Sequence, residues 1–289
     1  MIKTMQFLGE EADLGPEKRV SILAAPLASS VSWLGGTELG PQAIIEASPA
    51  LEVFDDELLR ETVRVGIETR PIPDFTAMAA VEACGAIQAA MAAELAIGRF
   101  PVLLGGEHTV TVPAVQACLE HYPDLHVVQI DAHLDLRDQY EDNPDSHACV
   151  MRRLDDLGVP FTQIGMRSFS QEEYELVRAR GWKPFFMHRI HAEADWIDQV
   201  CREIRGPVYL TVDVDGLDPA IMPATGTPEP DGLSWLQTIA LLRAITENHR
   251  LVAMDFVEFS PRPGAEHAAF TVAKLLYRTL GYVFQQKNP

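Results

Sequence analysis

Six residues of this chain have the types and the spacing of a metal site: His108, then Asp131-Ala-His133-Leu-Asp135, then Asp213-Val-Asp215. Residues i and i+2 of an extended segment point to the same face, so Asp131, His133 and Asp135 can converge on one point, as can Asp213 and Asp215. Each group sits where an apolar run stops: Leu125-His-Val-Val-Gln-Ile130 precedes the triplet and Pro207-Val-Tyr-Leu-Thr-Val212 precedes the pair. A single Asp in such a place is more often the cap of a helix or loop, but that does not account for six residues in three clusters. Four carboxylates and two imidazoles spaced in this way are the makings of a two-metal centre.

The ligand types narrow the metal. A carboxylate-rich set with a minority of imidazole and no thiolate favours Mn(II), ahead of Zn(II), Co(II), Fe(II) or Ni(II), and serves Ca(II) poorly. The reading is two Mn(II) per chain. Four aspartates cancel the charge of two divalent ions, so one more carboxylate and a bridging hydroxide would leave the pocket negative and suited to a cationic substrate.

Such a site needs rigid elements behind it. Eight short apolar runs read as buried strands, at residues 20–26, 63–67, 101–105, 125–130, 161–165, 184–187, 207–213 and 251–257. Helix-length segments separate most of them, at 76–97, 109–121, 147–157, 171–180, 194–204 and 234–248, with 265–284 closing the chain. This alternation implies right-handed crossovers and an α/β fold whose mostly parallel sheet is covered by helices on both faces. Ligands then gather beyond the carboxyl ends of the strands. The loop 216–232, rich in Pro, Gly and Thr, follows Asp213 and Asp215 directly and is expected to wall the site. No internal repeat or linker divides the chain, so a single domain over residues 1–289 is expected.

Composition sets the outer bounds. A chain of 289 residues can bury about three quarters of its unfolded surface in one α/β domain. A net charge of −19 argues against nucleic acid or an anionic membrane as partner and mildly favours small cations, although acidity also serves solubility alone. Cys84, Cys118, Cys149 and Cys201 form no Cys-x-x-Cys pair, which points to reduced thiols and a cytoplasmic setting, and Cys149 is not expected to be a catalytic thiol. The first residues lack the apolar core of an export signal, and the Ala-rich stretch 77–97 is broken by Glu82, Gln88 and Glu94 on a helical repeat, as in a surface helix.

Together, Gly105-Gly-Glu107-His108, the Asp131 triplet, Asp213-Val-Asp215-Gly-Leu-Asp218-Pro219, Gly226-Thr-Pro228-Glu-Pro230 and Glu258-Phe-Ser260-Pro261 resemble the ureohydrolases, the arginase and agmatinase family, in order and from about residue 20 to the end. The resemblance implies an arginase-like three-layer α/β/α fold with an eight-stranded sheet, a binuclear Mn(II) centre, and hydrolysis of a guanidino group to urea and an amine. It implies that one metal takes His108, Asp131, Asp135 and Asp213, and the other His133, Asp131, Asp213 and Asp215, with Asp131 and Asp213 bridging. Two metals roughly 3.5–4 Å apart bring a shared water toward ionisation at neutral pH. Glu258 matches the glutamate that grips the guanidinium, His147 matches the histidine that shuttles protons, and Asp135 can relay one as well. The six other histidines match no such pattern and read as structural or surface groups. A homo-oligomer, a trimer or hexamer, is also implied.

Departures from the family pattern bear on the substrate. The Asn- and Ser-bearing loop with which arginases grip the amino-acid head group is replaced here by Leu136-Arg137-Asp138 and Ser146-His147-Ala148, which disfavours arginine. Asp138, Asp145, Glu172 and Glu173 are acidic candidates to receive a distal ammonium, as in agmatine or aminopropylagmatine, with putrescine or a longer polyamine as product. Arg137 resembles formimidoylglutamases, whose substrate is anionic, so that activity and guanidino-acid hydrolysis are the rival readings, and a non-catalytic metal-binding relative is a third. Glu107 stands in place of the commoner Asp, and neither it nor Ala224 and Asp231, each in place of a Gly, removes a proposed ligand.

Overall fold

The computed structural model of the chain describes residues 5–75 and 78–285. The first residues of the chain and the start of the helix expected from residue 76 therefore lie outside the described residues. Among the described residues ten strands are formed: β1 Val20–Ala25, β2 Phe54–Asp55, β3 Arg60–Glu61, β4 Ile67–Thr69, β5 Phe100–Gly105, β6 His126–Ile130, β7 Phe161–Met166, β8 Phe185–Phe186, β9 Val208–Asp213 and β10 Leu251–Val257. The helices are α1 Gly40–Ala47, α2 Ala80–Ala96, α3 Thr111–Leu119, α4 Val150–Asp156, α5 Gln171–Arg180, α6 Met187–Ala192, α7 Trp196–Glu203, α8 Trp235–Asn248 and α9 His267–Val283.

Eight strands build one sheet in the order β4-β1-β5-β10-β9-β6-β7-β8, and every pairing in it is parallel. Buried strands of this kind alternate their side chains between two cores. Val128, Leu210, Val212, Met254 and Phe256 join α1 and α6 to α9 on one face. Val127, Tyr209, Ala253 and Val257 join α2 to α5 on the other. The result is the three-layer α/β/α arrangement expected from the sequence.

One local expectation needs correction. The apolar run 63–67 does not form a strand as a whole: Thr62–Val65 is a 3-10 turn, Gly66 has φ +80°, and β4 starts at Ile67. The turn is favoured because Val63 is buried and its N–H donates to Tyr277 Oη at 2.9 Å on α9. The small β2–β3 hairpin, α1 and α6 were not among the expected elements, being too short for a periodic pattern to show. Among the described residues, no helix is long and apolar enough to cross a membrane.

The register of the four central strands sets the level of the site. Ile130 pairs with Val212 and Val257 with Asp213, so the residues just past β6, β9 and β10 emerge side by side. Gly165 on β7 has φ +97° and leaves room for Asp131, whose carbonyl oxygen would lie 2.9 Å from an added Cβ. Gly165→Ala is expected to lower stability by about 1–3 kcal/mol through the disallowed backbone and this contact. Chemical denaturation checks it, and an unchanged midpoint would show that the strand relaxes freely.

Candidate metal centre

All six residues singled out by spacing meet at the carboxyl end of the sheet, but the pleat of a strand is not what brings them together. β6 ends at Ile130 and β9 at Asp213, so Asp131–Asp135 is a loop and Asp215 sits in the 3-10 turn Val214–Gly216. Side-chain roles still alternate, because Ala132 and Leu134 are buried apolar groups while His133 and Asp135 line the cavity. Asp135 then turns back by adopting a left-handed backbone, φ 52°, and its carbonyl accepts the N–H groups of Met151 and Arg152 at the start of α4. Glu258, directly after β10, is left-handed too, with φ 63°. Left-handed non-glycine residues carry strain, and such residues gather at functional sites.

His108 Nδ1 lies 3.3 Å from Asp131 Oδ2, 3.0 Å from Asp135 Oδ2 and 3.5 Å from Asp213 Oδ2. His133 Nδ1 lies 3.5 Å from Asp131 Oδ1 and 3.1 Å from Asp215 Oδ2. Asp131 thus turns one oxygen toward each imidazole. The donor atoms form two groups able to hold an ion, His108 with Asp131 and Asp213, and His133 with Asp131 and Asp215. Asp135 borders the first group through His108. The second oxygen of Asp213 accepts the N–H of Asp215 at 2.9 Å.

The residues behind the donors hold them at fixed angles. His108 Nε2 is 2.9 Å from Thr211 Oγ1. With the proton on Nε2 this is a donated hydrogen bond, and Nδ1 keeps its lone pair among the carboxylates, as a metal ligand requires. Nδ1 is buried and has no aligned hydrogen-bond partner despite its three close oxygens. Gln129 donates to Asp131 Oδ2 at 2.6 Å and is itself held by Gln163 at 2.7 Å. A buried, orphaned imidazole nitrogen ringed by carboxylate oxygens, with His108 and Asp131 braced from outside, fits a cation.

Electrostatics agree. Burial, followed by the charge of Asp131, pushes the Asp135 carboxyl up to about 7. Burial, with Asp215 and Asp131 adding like charge, holds Asp213 well above the usual carboxylate range. Burial disfavours charge on His133, but Asp215 and Asp131 outweigh it and raise that imidazole to about 12. His108 moves up for the same reason against the same opposition. Burial works against ionised Asp131 as well, and the two imidazoles beside it nevertheless lower its pKa. Without a metal the cluster therefore holds protons where a cation would sit.

The cavity over these donors has a volume of about 270 Å³, and His147, Glu258, Arg137, Tyr140, Phe169 and Glu173 line its remaining walls. A profile of the arginase family matches residues 18–281. The chain belongs to this family. It is 39% identical over 274 residues, 94% of this chain and 93% of the relative, to the N(1)-aminopropylagmatine ureohydrolase of Thermus thermophilus. It is 34% identical over 252 residues, 85% of this chain and 84% of the relative, to the agmatinase of Bacillus anthracis. Its fold matches the crystal structure of the agmatine ureohydrolase of Thermoplasma volcanium with a TM-score of 0.87 at 30% identity, covering 98% of this chain and 95% of that one.

In this arginase-family hydrolase the remaining expectations fare unevenly. Glu258 lies deep in the cavity; its Oε1 accepts the N–H of His108 at 2.7 Å, and burial pushes the carboxyl up to about 8. His147 lines the wall with its ring edge-on to Tyr140, 5.9 Å between centroids. Of the four acidic candidates only Glu173 borders the cavity. Asp138 is exposed and paired with Arg152 and Arg153, Asp145 lines a separate surface cavity beside α2 and α3, and Glu172 is exposed. Arg137 also borders the cavity, 3.8 Å from Glu173 and over the Tyr140 ring. Cys149 is buried, and burial pushes its thiol up to about 11, which disfavours the thiolate that a nucleophile needs.

Three positions with a share in the site escaped the sequence reading. Arg167 donates to the carbonyls of Asp215, Glu229 and Pro230, at 2.6, 2.8 and 2.9 Å, and so straps the 216–232 loop to the site as its wall. Thr211 braces His108. Ser30 reaches His147 from a loop far away in the chain, and nothing local marks it out.

Because metal ligands must shed their protons, each proton displaced from this cluster makes metal affinity rise about tenfold per pH unit. Calorimetry of Mn(II) binding to metal-free protein in buffers of different ionisation enthalpy is expected to show net proton release and tighter binding as pH rises from 6 to 8. Affinity independent of pH would contradict the protonated cluster.

Proposed function

We propose that the chain is a binuclear Mn(II) ureohydrolase that cleaves the guanidino group of agmatine or of N(1)-aminopropylagmatine, giving urea and putrescine or the corresponding longer polyamine. The observation that carries this reading is the pair of donor groups sharing Asp131 beside a cavity that Glu258 and His147 also line. His108, Asp131, Asp135 and Asp213 would hold one ion, and His133, Asp131, Asp213 and Asp215 the other. When bound, the ions supply Lewis-acid chemistry that brings water toward ionisation at neutral pH.

The chain's own residues do the rest. Glu258 takes the guanidinium by hydrogen bonds, with its Oε1 steadied by the His108 amide; a bound cation draws the carboxyl, raised by burial, back to its ionised form, and the pair then turns the planar carbon toward the metal ligands. Burial keeps His147 below the usual imidazole range, the nearby Glu107 charge opposing this in part, so the ring is neutral at physiological pH and free to take up a proton. It can then pass that proton to the departing amine. Asp135, bordering both His108 and the cavity, is placed to act as a second proton relay.

The choice of a cationic substrate over an anionic one rests on the cavity wall and on the relatives. Glu173 lends this wall negative charge and Phe169 an aromatic face, which suit an ammonium or secondary amine at the distal end. Arg137, 3.8 Å from Glu173 and over the Tyr140 ring, offsets part of that charge and is itself partly offset, so the relatives carry more of the case against the formimidoylglutamase and guanidino-acid readings than the wall does. The most similar relatives reported above are named for aminopropylagmatine and agmatine. A non-catalytic role does not suit a chain that keeps every proposed ligand together with His147 and Glu258.

The single-domain organisation, the homo-oligomeric state as trimer or hexamer and the cytoplasmic setting belong to the same proposal. The first is supported by one sheet with strands from Val20 to Val257 and by the family match over 18–281. Light scattering of the purified protein tests the second.

Mn-loaded protein is expected to release urea from agmatine and aminopropylagmatine, and neither urea from guanidinobutyrate nor formamide from formimidoylglutamate; turnover of the anionic pair alone would reverse the assignment. His147→Ala is expected to lower kcat by roughly 10²–10⁴-fold while KM changes little, since it removes proton transfer rather than binding. Steady-state kinetics decide this, and unchanged kcat would remove His147 from the mechanism.

A further inference from the structure

Glu107 is fully buried, and among the described residues no Lys or Arg pairs with it. Its carboxylate is held instead by the loop after β1. Ser29 donates its N–H to Oε2 at 2.8 Å and its hydroxyl to Oε1 at 2.6 Å, and Ser30 donates its N–H to Oε2 at 2.6 Å. The Ser30 hydroxyl lies 3.1 Å from the same Oε2. That hydroxyl also stands 3.1 Å from His147 Nδ1 and accepts the backbone N–H of His147 at 3.0 Å. A buried carboxylate, a hydroxyl and the cavity-lining imidazole are thus connected in line.

A hydroxyl has one proton and two lone pairs. Glu107 Oε2 already accepts the N–H groups of Ser29 and Ser30, and as an acceptor it takes the Ser30 hydroxyl proton too. Both lone pairs are then left for His147, one for its backbone N–H and one for Nδ1–H. Ser146 Oγ, 3.3 Å from Nδ1, is the other hydroxyl within reach. It accepts the N–H of Ala148, and its own proton is the one competitor for Nδ1, at a longer distance than the Ser30 hydroxyl; donation from Ser146 would give the Nε2–H form instead. Around the ring, Glu107 favours its charged form, His108 and His133 oppose it, and Tyr140 packs edge-on.

We propose that Glu107 and Ser30 form a buried carboxylate–hydroxyl relay that fixes His147 as the Nδ1–H tautomer and leaves the Nε2 lone pair to face the cavity. Glu107 and Ser30 are positioning residues: they touch no substrate and act through the imidazole. The Glu107 side chain is long enough to span the amides and hydroxyls of both Ser29 and Ser30. As imidazolium forms, the carboxylate behind the hydroxyl stabilises it, as a buried acid behind a catalytic histidine does elsewhere. The catalytic use of this tautomer rests on the proton-shuttle reading of His147, but the tautomer itself does not.

Long-range ¹H–¹⁵N NMR of histidine-labelled, metal-free protein reads the tautomer directly, with His147→Ala assigning the signals. Nδ1 is expected to carry the proton at neutral pH. Ser30→Ala should move His147 toward the Nε2–H form and lower kcat roughly 10–100-fold with KM within about twofold, and Ser30→Thr should restore both. Ser30→Ala removes only a hydroxyl and leaves the amide anchors on Glu107, so the loop keeps its fold where Glu107→Gln would disturb it. A wild-type Nε2–H signal, or a tautomer unmoved by Ser30→Ala, overturns the relay. A tautomer that shifts as expected while His147→Ala leaves turnover intact would confirm the relay and discard the shuttle.

Discussion

Four carboxylates and two imidazoles are packed where water hardly reaches, and this crowding of like charge is the constraint on which the rest of the molecule depends. Taking an ionised group out of water costs several kcal/mol even after relaxation, and one buried carboxylate raises the pKa of the next. The upward shifts at Asp135 and Asp213 and the raised imidazoles of His108 and His133 are the signs of that conflict. Protons settle it in part. Divalent cations settle it better, because they supply more charge at the point to which Nδ1 of both histidines and the carboxylate oxygens are already turned.

Holding such a cluster together takes a scaffold that cannot relax away from it. The parallel register of β5, β10, β9 and β6 delivers four chain segments to one level, and the groups behind the donors, Thr211 at His108 and Gln129 at Asp131, keep them from turning to other partners. Backbone strain at Asp135 and Glu258 is tolerated because each is locked by its surroundings. The carbonyl of Asp135 caps α4, and the N–H of Glu258 bonds the carbonyl of Gly106 at 2.8 Å. Arg167 closes the arrangement by tying a loop that would otherwise be free to the turn that carries Asp215.

The substrate side of the cavity is built differently. There the groups come from loops, and their placement depends on contacts between distant parts of the chain: Ser30 with His147, Leu136 with Glu173, and Arg137 with Tyr140 and Glu173. Loops of this kind can change what is bound at the distal end while the sheet keeps the reacting centre constant. The same division explains why relatives named for agmatine and for its aminopropyl derivative can share one scaffold.

The six proposed donors were legible in the sequence because each lies just past an apolar run or in a motif with its own residue types, Glu258 and His147 were reached through the resemblance to the ureohydrolases, and alternating strands and helices imply a parallel sheet without knowledge of contacts. The buried strands were placed within a few residues for the same reason, apart from the run at 63–67, where a glycine and a tyrosine from α9 favoured a turn over extended backbone. What only the tertiary structure decided is how the donors converge. They do so through parallel register and a left-handed turn at Asp135 rather than through one strand's pleat. It also decided which acidic residue reaches the cavity, Glu173 and not Asp138 or Asp145, and that Ser30 and Glu107 stand behind His147. Spacing along the chain encodes what a local segment can present, whereas a hydrogen bond between residues more than a hundred positions apart exists only once the sheet has brought their loops together.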